Sequence, residues 1–86
     1  MKISVELTLL PLQENFESVI KSFILKLRNS DFTVLENPLS TQIYGNYDTL
    51  MPFLNNTIRE TFDQTAHVLV NMKIVKSDRS TYEPDF

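Results

Sequence analysis

The chain has 86 residues, of which 42% are hydrophobic, a net charge of −3 and no cysteine. This size and composition predict one small globular domain rather than a disordered chain. The absence of cysteine excludes disulfides, thiolate metal sites and a cysteine nucleophile, and the absence of a basic cluster argues against nucleic acid or an anionic membrane as a partner.

The start of the chain predicts a strand followed by a helix. Residues 2–10 alternate between apolar and polar types, which is typical of a half-buried strand, and Pro11 should stop it. Apolar residues recur at helical spacing over 16–27, with Asn15 as the expected cap and an end near residues 29–30.

The middle of the chain predicts a hairpin. A short strand at 32–36 is followed by Pro38, and a second strand at 41–44 ends at Gly45, the only glycine of the chain. We expect Gly45 to let this strand end tightly against the next helix.

The last two predicted elements are a helix and a strand. Asp48 should cap the helix and Pro52 should lie in its first turn. Alternation over 66–75 predicts the strand, and 77–86 form a polar tail. The apolar stripe of the helix comprises Leu50, Phe53, Leu54, Ile58 and Phe62, and the inward residues of the strand are Ala66, Val68, Val70, Met72 and Ile74.

The element order predicts an α+β ferredoxin-like βαββαβ sandwich: a four-stranded antiparallel sheet in the order 4-1-3-2, with two helices on one face. Residues 1–76 form this domain in the prediction. The other sheet face should be open and carry a mixture of polar and apolar side chains. Its expected members are Ser4, Glu6, Thr8, Leu10, Gln42, Tyr44, Leu69, Asn71 and Lys73.

Four polar residues of that face, Glu6, Thr8, Asn71 and Lys73, can converge because their strands are neighbours. The alternative is an ordinary cross-strand ion pair between Glu6 and Lys73, which would contribute about 1 kcal/mol or less.

Other candidate sites are weaker. His67, the only histidine, has no serine or acid that the sequence places beside it. Asp78, Glu83 and Asp85 lack the spacing of a calcium loop. We therefore expect no metal site and no catalytic residues, and so not an enzyme. Base stacking on the sheet is disfavoured because strand three carries only Tyr44 and strand one carries no aromatic residue.

The residues NPLSTQIYGNYD (37–48), together with Leu10-Pro11-Leu12 and the closing strand Val70–Ile74, resemble the YkoF-like thiamine- and hydroxymethylpyrimidine-binding family. The resemblance covers nearly the whole chain. Because the chain has one repeat, it is similar to the single-domain branch of that family. It implies a domain that binds thiamine (vitamin B1) or its hydroxymethylpyrimidine moiety without transforming it, and no further cofactor.

The resemblance also implies roles for side chains. Ser40, Thr41, Thr8 and Asn71 can supply hydrogen bonds to the aminopyrimidine, Tyr44 a stacking face, and Glu6 a charge opposite the thiazolium. With Lys73, these residues are the predicted ligand site. A structural or regulatory oligomerisation module without a small-molecule ligand is the alternative function.

Two expectations concern assembly and location. Leu10, Tyr44, Leu69 and Val75 would form an apolar patch on the open face, so we expect a homodimer or homotetramer that packs two sheets face to face. Charges near the N-terminus and short apolar runs indicate neither a signal peptide nor a membrane span, so we expect a cytoplasmic protein without a membrane partner.

Overall fold

The computed structural model describes residues 1–86. The four strands form one antiparallel sheet in the order β2-β3-β1-β4, which confirms the predicted ferredoxin-like α+β fold. Neither helix combines the length and apolar character that crossing a membrane requires. The elements are β1 (Lys2–Pro11), α1 (Phe16–Arg28), β2 (Thr33–Glu36), β3 (Thr41–Asn46), α2 (Tyr47–Asp63) and β4 (Val68–Val75).

The core lies between the sheet and the two helices. Alternate residues of β1 point into it because side chains of a strand alternate between faces. Leu27 of α1 and Leu50 and Leu54 of α2 are fully buried against this layer, together with Ile43 of β3. The two central strands therefore carry most of the buried surface, and both edge strands are more exposed.

Helix α2 differs from its prediction in position and in buried face. Its N-cap is Asn46, so Asp48 lies in the first turn and Pro52 lies in the second. Phe62 is 48% exposed, whereas Thr57 and Thr61 are buried. Each threonine hydroxyl donates to the backbone carbonyl four residues earlier, at 2.9 and 3.0 Å, which allows these polar side chains to be buried.

Helix α1 begins after Asn15, as predicted, but the Asn15 side chain makes no capping hydrogen bond to the helix. At the other end, Arg28 Nε and Nη2 donate to the Glu36 carboxylate at 2.6 and 2.7 Å. This hydrogen-bonded pair holds the pKa of Glu36 below its usual value of 4.5 and raises the pKa of Arg28. It fastens the end of α1 to the edge strand β2.

We expect this pair to give a small pH-dependent contribution to stability. Because the pKa of Glu36 is lower in the folded state, the contribution is fully present above about pH 4.5 and is lost as the pH falls through the lower folded-state value. Glu36→Gln should therefore lower the Tm slightly at pH 7 and have less effect in acid. Glu83→Gln, at a residue without an ion pair, is the control. A Tm difference that stays constant down to pH 2 would contradict this role.

Strand β4 begins at Val68 rather than Ala66, and its inward face is only partly covered. Val68 and Val70 pack against the core, but Met72 and Ile74 are 41% and 43% exposed. The reason is topological: β4 is an edge strand, while α1 packs against β1 and α2 against β3. Met72 and Ile74 do point to the helix side as predicted, opposite Leu7 and Val5, but no helix covers them, and Ala66 lies before the strand. Alternation gives the face of a strand residue but does not reveal where the helices end.

Gly45 lies within β3, which continues to Asn46, and its φ angle is negative. The residue therefore does not serve to end the strand. A Cβ at this position would stand 2.6 Å from Cδ1 of Phe32, whose ring packs against Phe53 with centroids 5.3 Å apart. Glycine is needed here because the Phe32 ring occupies the space of a side chain.

The C-terminal tail is attached to the open sheet face through Ser4. The Ser4 hydroxyl donates to the Ser77 carbonyl at 2.7 Å and accepts from the Arg79 N–H at 2.8 Å. Ser4 is 7% exposed, although its neighbours on the same face of β1 are more accessible. Residues 77–79 thus cover one end of the open face.

Replacing Ser4 with alanine should release the tail, because both backbone groups would lose their shared partner. We expect trypsin to cleave after Lys76 and Arg79 several-fold faster in Ser4→Ala than in the wild type, with little change in Tm. Ser18→Ala, which removes an exposed hydroxyl that donates to the Asn15 carbonyl, is the matched control. Equal cleavage rates in both variants would show that the Ser4 hydroxyl does not hold the tail.

Candidate functional site

The open face consists of cross-strand rows, because paired residues of neighbouring strands point to the same side. Moving along β1, the two middle rows are polar, the last row is apolar, and the first row combines a serine with a tyrosine and a valine. The rows are Ser4 with Tyr44 and Val75, Glu6 with Gln42 and Lys73, Thr8 with Asn71, and Leu10 with Leu69.

A hydrogen-bonded cluster surrounds Glu6. Its Oε2 accepts from the Ser40 hydroxyl at 3.0 Å, and that hydroxyl accepts from Gln42 Nε2 at 2.7 Å. Lys73 Nζ lies 3.7 Å from Glu6 Oε1. The side chains of Glu6 and Lys73 are 44% and 73% exposed, so their ion pair is weak and Lys73 can move away. The carboxylate is therefore positioned by Ser40 and remains open to a second cation.

A groove lies beside this cluster, where β1 is longer than β3. Pairing of β1 with β3 stops at Leu7, while pairing with β4 continues to Pro11. Alternate backbone N–H and C=O groups of residues 8–10 therefore face the groove without a strand partner. The groove has a volume of about 280 Å³, and α1 forms its opposite wall through Ile20, Phe23 and Ile24.

The turn between β2 and β3 forms the rim of the groove. Asn37 Oδ1 accepts from the N–H groups of Leu39 and Ser40 at 2.8 and 3.0 Å, and its own N–H donates to the Ser40 carbonyl. Leu39 is 85% exposed at this rim. These bonds fix the turn so that Ser40 contacts both the groove and the Glu6 cluster.

The structure brings together five of the seven predicted ligand residues and separates two. Glu6, Thr8, Ser40, Asn71 and Lys73 are joined by cross-strand pairing and by the Ser40 hydrogen bond. By contrast, Thr41 pairs with Leu7 and points toward the helices, where it lines the groove from inside. Tyr44 lies in the Ser4 row, beside the attached tail and away from the groove.

Thr8 lines both the groove and a shallow depression over Glu6, Asn71 and Lys73. The groove wall and its rim residue Leu39 were not predicted as site residues. Residues 20–24 show only a helical periodicity, which indicates burial and does not indicate that a groove separates this part of α1 from β1. Asn37-Pro38 did indicate a turn, but the free edge of β1 depends on strand lengths that single-sequence patterns do not define.

The apolar residues of the open face do not form one patch. Leu10 and Leu69 pair at the groove end, where they are 47% and 45% exposed. Tyr44 and Val75 are half-buried at the other end, in the Ser4 row. The polar rows of Glu6 and Thr8 lie between them, so the expected contiguous apolar patch is divided.

The remaining candidates lie apart from this site. His67 is exposed just before β4. The Asp78 carboxylate accepts from the N–H and the hydroxyl of Ser80 at 2.9 and 2.6 Å, and these bonds lower its pKa. No group of three or more His, Asp or Glu side chains is placed to hold a metal ion.

Comparison with known proteins defines the fold. No family model and no curated protein matches the chain. A Streptococcus pneumoniae protein of known structure is 28% identical, with a TM-score of 0.83 over 94% of this chain and 92% of its own. A proposed thiamine biosynthesis/salvage protein from Thermotoga maritima is 18% identical, with a TM-score of 0.80 over 90% and 85%. A domain of unknown function, DUF77, from Bacillus cereus is 17% identical, with a TM-score of 0.73 over 99% and 79%.

Proposed function

We propose that this protein binds thiamine or its hydroxymethylpyrimidine moiety without transforming it, as a carrier or buffer in thiamine supply. The observation that carries the proposal is the junction at Thr8, where a groove with apolar walls meets the open Glu6 carboxylate. The likeness in fold to the proposed thiamine biosynthesis/salvage protein supports the same ligand class. Membership of the YkoF-like family and a cytoplasmic location are part of this proposal.

The groove suits a flat heteroaromatic ring. Its volume of about 280 Å³ is close to the lower end of ordinary ligand pockets, about 300 Å³, so a single ring with short substituents fits its size. An aminopyrimidine carries adjacent donors and acceptors, which match the free N–H and C=O groups of a strand edge. The hydroxyls of Thr8, Ser40 and Thr41 add further partners.

The Glu6 cluster suits a cation attached to that ring. Thiamine carries a thiazolium next to its pyrimidine, and the Glu6 carboxylate lies next to the groove through Ser40. A bound thiazolium would replace the exposed Lys73 ammonium as the partner of Glu6. Tyr44 would contribute only through a ligand that extends along the open face toward the Ser4 row.

Isothermal titration calorimetry with thiamine and, separately, with hydroxymethylpyrimidine tests this proposal. We expect saturable heat for both compounds, and weaker binding of both in Thr41→Val because Thr41 lines the shared groove. If neither compound gives heat, the result would favour the alternative, an oligomerisation module without a small-molecule ligand.

We expect the protein to return either compound unchanged. The only histidine, His67, lies outside the proposed site, the chain has no cysteine, and no cluster of side chains is placed to hold a metal ion. The Ser40 hydroxyl donates to the Glu6 carboxylate, but no imidazole lies beside it to act as the base that activates a serine nucleophile. Mass spectrometry after prolonged incubation should detect only the starting compound. A product that forms with the wild type and not with Glu6→Gln would show that the protein is an enzyme.

A further inference from the structure

We propose that β4 pairs along its free outer edge with β4 of a second copy of the chain, in a register centred on Met72. The result is a symmetric dimer with one sheet of eight strands, four from each copy. This inference rests on the edge strand and not on the proposed ligand. It places the dimer contact at the sheet edge, whereas the sequence predicted contact between open faces.

The outer edge of β4 is suited to strand pairing. The strand has eight residues, contains no proline and carries one charged side chain, Lys73. Its inner edge pairs with β1, and no strand covers its outer edge. Met72 and Ile74 are exposed on the helix side and Leu69 on the open side. A long, exposed and apolar edge of this kind is a site for addition of another strand.

The other edge strand differs in each of these respects. Strand β2 has four residues and is followed by Asn37-Pro38. Glu36 lies at its end in a salt bridge with Arg28. Short, charged edges next to proline resist pairing, so the structure favours β4 over β2 as the contact.

The sequence of β4 specifies the partner as a second copy and also specifies the register. Residues 69–75 read the same from either end by chemical type: apolar, apolar, polar, Met, polar, apolar, apolar. Antiparallel pairing about a two-fold axis at Met72 therefore sets Leu69 opposite Val75, Val70 opposite Ile74 and Asn71 opposite Lys73. The two nearest registers that also keep the helices of both copies on one side of the sheet are less favourable. One sets Lys73 opposite Leu69, and the other sets it opposite the partner's Lys73.

This register brings the candidate site of one copy next to the candidate site of the other. The partner's Asn71 lies next to Lys73, which is the residue that pairs with Glu6. The Asn71 carboxamide can accept a hydrogen bond from the Lys73 ammonium and draw it away from the Glu6 carboxylate. Each copy thus contributes a side chain to the polar rows of the other.

Light scattering on the full chain without ligand tests the dimer. We expect twice the chain mass of 10.0 kDa for the wild type and for Leu35→Lys, which alters the β2 edge at a residue of matched exposure. Met72→Lys should give the monomer mass, because the two new ammonium groups would face each other at the axis. A monomeric wild type, or a dimer that Leu35→Lys dissociates and Met72→Lys does not, would overturn the proposal.

Cysteine cross-linking tests the register with variants that leave the fold little altered, since the chain has no native cysteine. In Met72→Cys, the two copies of residue 72 lie about 5 Å apart between Cα atoms, within disulfide range. In Ile74→Cys, they lie roughly 13 Å apart. We expect mild oxidation to give a covalent dimer of Met72→Cys and none of Ile74→Cys. Equal cross-linking, or cross-linking of Ile74→Cys alone, would contradict this register.

Discussion

Replacing Gly45 with alanine is expected to destabilise the protein by about 1–3 kcal/mol, the usual cost of adding atoms where neighbouring side chains already fill the space. A new Cβ would stand 2.6 Å from the Phe32 ring, which also packs against Phe53 in a tilted pair. In a strand without positive φ, the same substitution ordinarily stabilises by about 0.5–1 kcal/mol. Whether Gly45→Ala lowers or raises the free energy of unfolding therefore decides between two explanations. A decrease shows that the Phe32 ring requires glycine at this position, and an increase shows that it does not. In a domain of this size the Tm should fall by about 5–20 °C.

A double-mutant cycle assigns the effect to Phe32. In a Phe32→Ala background the obstructing ring is absent, so Gly45→Ala should become neutral or stabilising. Thr33→Ala, at an exposed position of the neighbouring strand β2, controls for a substitution in the sheet that does not meet the Phe32 ring. An unchanged or raised Tm for Gly45→Ala in the wild-type background would show that the ring yields without cost.

Glu6→Gln is expected to weaken thiamine binding by about 5- to 10-fold, and hydroxymethylpyrimidine binding by less than about 2-fold. Only thiamine carries the fixed positive charge that we propose faces this carboxylate. Two unit charges near a protein surface attract by about 4 kcal/mol at 4 Å, and solvent at the 44% exposed Glu6 side chain reduces this to about 1 kcal/mol. Calorimetry of both ligands with both proteins measures the difference directly.

Lys73→Met is the matched control for this experiment. It removes the competing ammonium and keeps the length of the side chain, so thiamine should bind as well as to the wild type or slightly better. If Glu6 instead acts only by holding the sheet together through Lys73, both variants should weaken both ligands alike.

The sheet and the order of elements could be predicted because strand alternation and helical spacing are local properties. Residues 2–10 alternate so regularly that their buried face was correctly identified, and strand pairing then follows from topology. The convergence of Glu6, Thr8, Asn71 and Lys73 followed from the same reasoning, because neighbouring strands bring their same-face residues together.

The errors concern properties that depend on distant parts of the chain. Gly45 was interpreted as a strand terminator because the Phe32 ring that requires it belongs to another element. Burial of Thr57 and Thr61 in place of Phe62 depends on how α2 is rotated against the sheet. The groove exists because β3 begins at Thr41, opposite Leu7, while β1 continues to Pro11. Strand ends of this kind are set by the tertiary structure rather than by the local sequence pattern.

The most direct test of the central claim is an NMR titration of the labelled protein with thiamine, followed through backbone amide shifts. Binding at the Thr8 junction predicts saturable shifts for residues 8–10 and for Ser40 and Thr41, with little change at Tyr44 and in the tail. Absence of shifts at millimolar thiamine, or shifts confined to the Ser4 row and the tail, would contradict the proposed site.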